Sequence, residues 1–280
     1  MSESQSPKAQ LLALGLRAKH HFGQNFLADA GLCQKIAELC APAGACVVEL
    51  GAGLGALTRP LLERAAHVVA VERDRDLVPA LRADFAGDIE AGKLEVLEAD
   101  AKQVDLQALF ADRARPHSLC GNLPYQITGP LLEMTVRAAS RLDRAVFLVQ
   151  LEVAQRLVAA ADGEDYGALS VFTQAAFDVQ RALVVRRGAF YPQPGVDSAV
   201  VVLTPRGDAV AETRAFRELV HAAFGQRRKK LRNAWSNVGG LSAPQLAELC
   251  ERAQVDLDRR GETLSVAEFA RVASLLEAAP

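Results

Sequence analysis

Cys46-Val47-Val48-Glu49-Leu50-Gly51-Ala52-Gly53-Leu54-Gly55 decides the fold. A short apolar run, glycines at alternate positions and a helical pattern over 56–65 read as a strand turning tightly into a helix. Glycines permit the backbone of such a turn and let a ligand approach it closely at the helix N-terminus. A second strand is expected over 67–71, ending in Glu72. That acid follows the first glycine by about 20 residues, where doubly wound sheets place the acceptor for ribose hydroxyls. A third strand, over 94–99, ends in Asp100, a partner for an adenine amino group. Strands alternating with helices in this way build a mostly parallel sheet.

These features suit a nucleoside-containing cofactor without specifying it. Gly51, Gly53 and Ala56 also satisfy the relaxed dinucleotide fingerprint, which makes NAD a rival. Glu49 weighs against NAD, because its carboxylate repels a pyrophosphate but attracts the cationic amino-acid part of S-adenosylmethionine. A second stretch, Asn122-Leu123-Pro124-Tyr125, follows the apolar run 118–121 and precedes an amphipathic pattern starting near Thr128. On its own it is an ordinary strand-to-helix turn with Tyr125 in the core. At the carboxyl end of a strand, however, the Asn122 amide oxygen and the Leu123 carbonyl are suited to accept both hydrogens of an exocyclic amino group. Tyr125 then stacks on the base. Hydride transfer has no use for such a loop, and a methyl donor fits better.

The chain has 280 residues, half of them apolar, which suits one large domain with a small appendage. The net charge of −2 does not advertise a nucleic-acid binder, but its distribution does. Residues 206–280 hold 12 basic and 10 acidic side chains against 20 and 24 before them. Arg227, Arg228, Lys229, Lys230 and Arg232 form an acid-free block there, expected to start a helix facing phosphates. Five cysteines without a CxxC pair read as reduced thiols of a cytoplasmic protein. No apolar run is long enough for a membrane span, and the histidines lack metal-ligand spacing.

Further strands are expected over 144–150, 179–185 and 198–203, with helices over 151–161 and 168–177. The last two strands resemble the hairpin-like edge of a seven-stranded methyltransferase sheet. Residues 1–18 read as a disordered tail, 19–205 as the catalytic domain, and 206–280 as a small all-α domain. Its helices are expected over 213–224, 228–235, 243–253 and 266–277, with Trp235 in their core.

Five motifs in order resemble the KsgA/RsmA family of ribosomal RNA adenine dimethyltransferases. They are Phe22-Gly23-Gln24-Asn25-Phe26-Leu27, the glycine loop, Asn122 to Tyr125, Phe190-Tyr191-Pro192-Gln193-Pro194 with Val196-Asp197-Ser198, and Gln226-Arg227-Arg228-Lys229. The resemblance implies an α/β, Rossmann-like class I methyltransferase fold. It also implies S-adenosylmethionine-dependent dimethylation of two adjacent adenosines near the 3′ end of 16S ribosomal RNA, within the small subunit, by a monomer. Asn25 and Leu27 would close over the cofactor, Gly51 and Gly53 would lie against it, and Glu72 would hold the ribose. Asp100 would bind the adenine, and Asn122 would touch donor and target. Tyr125 and Phe190 would sandwich the flipped base, with Lys19 a cation at the entrance. Ala52 stands where proline is common, Gly195 where lysine is, and His20 and His21 where the family often has lysine or arginine. A relative acting on large-subunit RNA, as in macrolide resistance, and a non-catalytic assembly factor are the alternatives. Intact Asn122 and glycine-loop residues disfavour the second.

Overall fold

Cys46–Leu50 (β1) lies in the middle of a seven-stranded sheet, and all five of its residues are buried. Parallel strands covered on both faces read as continuous apolar runs. The other strands are His67–Glu72 (β2), Leu94–Glu98 (β3), His117–Asn122 (β4), Arg144–Gln150 (β5), Phe177–Val185 (β6) and Ser198–Pro205 (β7). The spatial order is β3-β2-β1-β4-β5-β7-β6. β1 pairs in parallel with both β2 and β4, whereas β7 runs antiparallel to β5 with Val146 opposite Val202. Strand order therefore reverses at β1, which opens a crevice at the carboxyl ends of β1 and β4. Gly121 lets those ends close up, since a Cβ there would stand 2.4 Å from the Leu50 carbonyl oxygen.

The computed structural model describes residues 6–226 and 228–278. Helix Ala30–Cys40 starts at Asp29, whose carboxylate caps the Leu32 amide at 2.9 Å. It buries Leu32, Cys33, Ile36, Ala37 and Cys40, a helical-period face that packs on β4, β5 and β7. A two-residue ladder joins Phe26–Leu27 to Phe190–Tyr191 beside this sheet. All five cysteines are free and buried. Among the described residues, no helix is long and apolar enough to cross a membrane.

Two compact units emerge, and their boundary differs from the expected one. The first holds the chain up to Ala154 together with Val179–Pro205, and the second holds Gln155–Asp178 and the chain from Arg206 onward. Helix Ala168–Ala176, expected within the catalytic domain, instead joins the core of the helical unit through Val171 and Ala175. That core contains Phe216, Trp235 and Phe269, and the Trp235 indole N–H donates to the Leu219 carbonyl at 2.9 Å. Helix Val266–Glu277 falls where periodicity puts it, with Ser265 and Glu268 forming a capping box.

Two further expectations are corrected. Residues 7–13 form a helix, Pro7–Ala13, whose Leu11 is buried against Phe26 and Leu77, so the expected disordered tail is not found over residues 6–18; its first five residues lie outside the described ones. The helix expected over 228–235 shrinks to Leu231–Ala234, because Arg228 adopts φ 72° and Lys230 is an extended N-cap.

Candidate active site

The crevice at the ends of β1, β2 and β4 is a cavity lined by the glycine loop, Glu49, Glu72, Asp100, Asn122 and the 22–27 segment. Gly51 takes φ 79°, and its amide and that of Ala52 donate to the Val71 carbonyl at 2.8 and 3.0 Å. Those two bonds pin the turn to the end of β2. Glu72 then holds the next part of the loop, accepting from the Gly53 amide at 2.8 Å through Oε2 and from the Asp74 amide at 2.7 Å through Oε1. Burial raises its pKa against the pull of these amides.

Glu49 is 1% exposed, and its Oε2 accepts from the Thr58 hydroxyl at 2.6 Å. No hydrogen bond reaches Oε1 among the described residues. Burial pushes this carboxyl up to about 7, opposed by the Thr58 hydrogen bond and reinforced by the nearby Glu72 charge. A buried carboxyl with an unused oxygen on a cavity wall suits a cationic ligand group. Asp100 accepts from the Lys102 amide at 3.0 Å through Oδ1, and Arg73 reaches its Oδ2 at 3.4 Å. The Arg73 guanidinium also lies 4.6 Å from the Phe22 ring centroid, placing a cation–π pair on the same wall.

Asn122 ends β4 opposite this wall. Its Nδ2 donates to the Asn25 carbonyl at 2.7 Å, which fixes the amide plane and leaves Oδ1 as the acceptor without a protein partner among the described residues. Asn25 donates to the Gly23 carbonyl at 3.1 Å, so the 22–27 segment holds its own turn. Leu123 is buried and donates its amide to the Leu148 carbonyl at 3.0 Å. Pro124 precedes a 3-10 turn, Tyr125–Ile127, and the Tyr125 hydroxyl lies 3.0 Å from that of Ser198. Burial raises the Tyr125 pKa, so the ring presents a neutral phenol. Ile127 and Leu131 add apolar surface beside it.

Most of the expected site residues thus converge, with three exceptions. Phe190 does not line the cavity; it pairs with Leu27 in the short ladder and is buried in the main core at 5% exposure. Lys19 is not a free entrance cation, because Asp74 and Asp76 hold its ammonium at 2.5 and 2.6 Å. In the basic block, Lys230 and Arg232 both pair with Asp258, at 3.1 and 2.7 Å. Arg228 and Lys229 are exposed, and Arg227 lies outside the described residues. Sequence reasoning assigned no role to Thr58, whose partner Glu49 lies across the glycine turn, or to Gln24 and Asp74, whose partners are remote in the chain, although the Glu72-Arg73-Asp74 run offered a signal.

The reversed strand order, the antiparallel penultimate strand and a crevice beside an Asn-Leu-Pro-Tyr loop define a class I methyltransferase. Residues 15–277 match the family model described as ribosomal RNA adenine dimethylase. The chain is 47% identical over 276 residues to ribosomal RNA small subunit methyltransferase A of Anaeromyxobacter sp. (strain K), covering 95% of each. The Geobacter metallireducens protein of the same name is 41% identical, over 94% of this chain and 97% of its own. Among solved structures, a dimethyladenosine transferase from Plasmodium falciparum shares the fold with a TM-score of 0.72 at 22% identity, covering 88% of this chain and 95% of its own. The 23S rRNA methyltransferase ErmE gives 0.67 at 26% identity, covering 90% of this chain and all of its own. The chain belongs to the ribosomal RNA adenine dimethylase family.

Proposed function

We propose that this enzyme transfers methyl groups from S-adenosylmethionine to the amino nitrogens of two adjacent adenosines near the 3′ end of 16S RNA in the small ribosomal subunit. The single observation that carries the site assignment is the fixed amide of Asn122, whose Oδ1 faces away from the Asn25 carbonyl and remains free to accept. Similarity over 95% of the chain to small-subunit methyltransferases favours that target over the large subunit. The protein is proposed to act in the cytoplasm as a monomer.

The donor supplies an electrophilic methyl group on a sulfonium centre. Glu49 Oε1 would attract its cationic amino-acid end, Glu72 would accept from its ribose, and Asp100 would accept from its adenine amino group. Asn122 Oδ1 and the Leu123 carbonyl accept the two hydrogens of the target amino group. That pairing draws the nitrogen lone pair out of conjugation and aims it at the methyl carbon. Positioning and fixed dipoles supply the acceleration. Forming the N–C bond would break the donor's S–C bond and release a neutral thioether, S-adenosylhomocysteine; the alkylated nitrogen would then lose its proton to solvent, so no strong base is required. Tyr125 stacks on the flipped base, an interaction worth ~1–3 kcal/mol. Phe190 supports this site from the core by holding Leu27.

Labelled donor incubated with undermethylated small subunits tests the reading, with the modified nucleotides mapped afterwards. Two neighbouring dimethylated adenosines are expected, and Asn122→Ala should abolish transfer while keeping the fold. Modification of large-subunit RNA instead, or Asn122→Ala turning over within a few fold of the parent, would refute it.

A further inference from the structure

We infer that Asp74 is a positioning residue that clamps the 19–27 segment across the donor site, with Lys19 and Gln24 as its two arms. The inference rests on the site assignment above and concerns residues to which that assignment gives no role. Asp74 is 2% exposed, yet each of its carboxylate oxygens is engaged. Oδ1 accepts from the Lys19 ammonium at 2.5 Å and from the Asp76 amide at 3.1 Å, and Oδ2 accepts from Gln24 Nε2 at 2.7 Å. The Gln24 side-chain oxygen takes the Lys19 backbone N–H at 2.8 Å, closing a ring. Asp76 adds a second carboxylate to the ammonium at 2.6 Å.

The ring stands between the two halves of the reaction. On one side, the Asp74 amide donates to Glu72, and Glu72 in turn holds the Gly53 amide of the glycine loop. On the other, the segment fastened by Lys19 and Gln24 carries the Asn25 carbonyl that accepts from Asn122 Nδ2. One short segment is therefore tied at one end to the acid that binds the donor. At its other end it sets the amide that orients the target.

Apart from this ring, the segment is held by the Arg73–Phe22 cation–π pair, the Asn122–Asn25 bond and the short ladder at 26–27. None of residues 19–25 is buried, and only Phe26 and Leu27 reach a core. A stretch with so little buried apolar surface sits at the low-stability end of a structure, so its polar ties decide whether it is ordered. With Asp74 buried and Lys19 27% exposed, this pair is assigned to the segment's register and orientation. Lys19 is thus committed to geometry at the donor site and is unavailable to RNA phosphates.

The test uses Lys19→Met, Gln24→Ala, their combination, and Lys19→Arg as the conservative rescue. Donor affinity is read by calorimetry without RNA, order of the segment by amide exchange over residues 20–26, and turnover as kcat and KM on small subunits. Each single replacement should weaken donor binding about tenfold, the effect of losing one charge-assisted hydrogen bond. The double variant should be no worse than the poorer single, since both act through Asp74. Exchange over 20–26 should slow on donor addition in the parent and in Lys19→Arg but not in Lys19→Met, with donor affinity compared at a temperature where each variant is fully folded, because Lys19→Met leaves the buried Asp74 carboxylate without its cation. Donor affinity within twofold of the parent in Lys19→Met, or additive effects, would overturn the inference. A variant that altered only the salt dependence of subunit binding would instead make Lys19 a phosphate ligand. If the parent failed to methylate small subunits, the functional reading would fall, while calorimetry and exchange would still decide the clamp.

Discussion

Glu49 shows how one buried carboxyl links stability to ligand binding. Its ordinary value is 4.5, and burial raises it to about 7. Between those two values the folded chain keeps a proton that the unfolded chain has released. Stability therefore falls as pH rises from about 4.5 through 7, by on the order of 3 kcal/mol if Glu49 alone is counted. Glu49→Gln should remove this dependence and melt higher than the parent at pH 8, with little difference near pH 4.5. The cationic donor favours the ionised form, so its affinity should rise through pH 7 and its binding should release a proton. Calorimetry in buffers of different ionisation enthalpy reads that proton directly, and Glu49→Gln should lose both the proton release and much of the affinity. A parent affinity flat from pH 6 to 8 would mean that donor binding does not change the protonation of Glu49 and would overturn this linkage.

At the scale of elements, the basic segment after helix Arg214–Gly225 behaves differently from a phosphate-facing helix. Asp258 pairs with both Lys230 and Arg232, offsetting one of their two charges, and both cations hold its carboxyl below the usual range. We predict that Asp258→Asn strengthens small-subunit binding and steepens its salt dependence. Alanine at Arg228 and Lys229 should flatten the slope by up to roughly 0.9 for every phosphate left without its cation. Salt titrations of subunit binding decide this, and a slope unmoved by either change would place the RNA interface elsewhere. The sequence hid this arrangement because Asp258 lies 26 to 28 residues from its partners. The strands β1, β2 and β5 were legible because apolar runs between turn signals have few other solutions, and β3 because Leu94, Val96 and their charged neighbours alternate. Glu72 and Asn122 were legible because their chemistry is local to a strand end. Gln24 and Asp74 were not, since each matters through a group some 50 residues away, and Thr58 was not, since its bond to Glu49 nine residues earlier depends on how the glycine loop turns. Leu11 was missed for the same reason, its burial depending on Phe26 and Leu77.

The whole molecule is one chain whose helical unit borrows a segment from within the catalytic sequence. Apolar periodicity in residues 168–176 marks a buried face but not its partner, which is why a boundary at 205 looked complete. In the structure, Val171 is fully buried and Tyr166 nearly so within the same core as Phe216, Trp235 and Phe269. The Phe172 ring meets Phe216 edge-on at 6.0 Å, and Tyr166 meets Phe224 at the same distance. Ending the chain after Pro205 would strip these side chains of their partners. Burying a side chain of this size stabilises by ~1.5–3 kcal/mol, so several exposed at once amount to much of a domain's stability. We predict that a 1–205 fragment aggregates or binds a hydrophobic dye strongly. Replacing 155–178 in that fragment with a short polar linker should restore a soluble sheet unit that still binds the donor. Dye binding, sedimentation and donor calorimetry on the two fragments measure this. A soluble, monomeric 1–205 fragment melting at the parent temperature would show that the 155–178 helices do not need the C-terminal core.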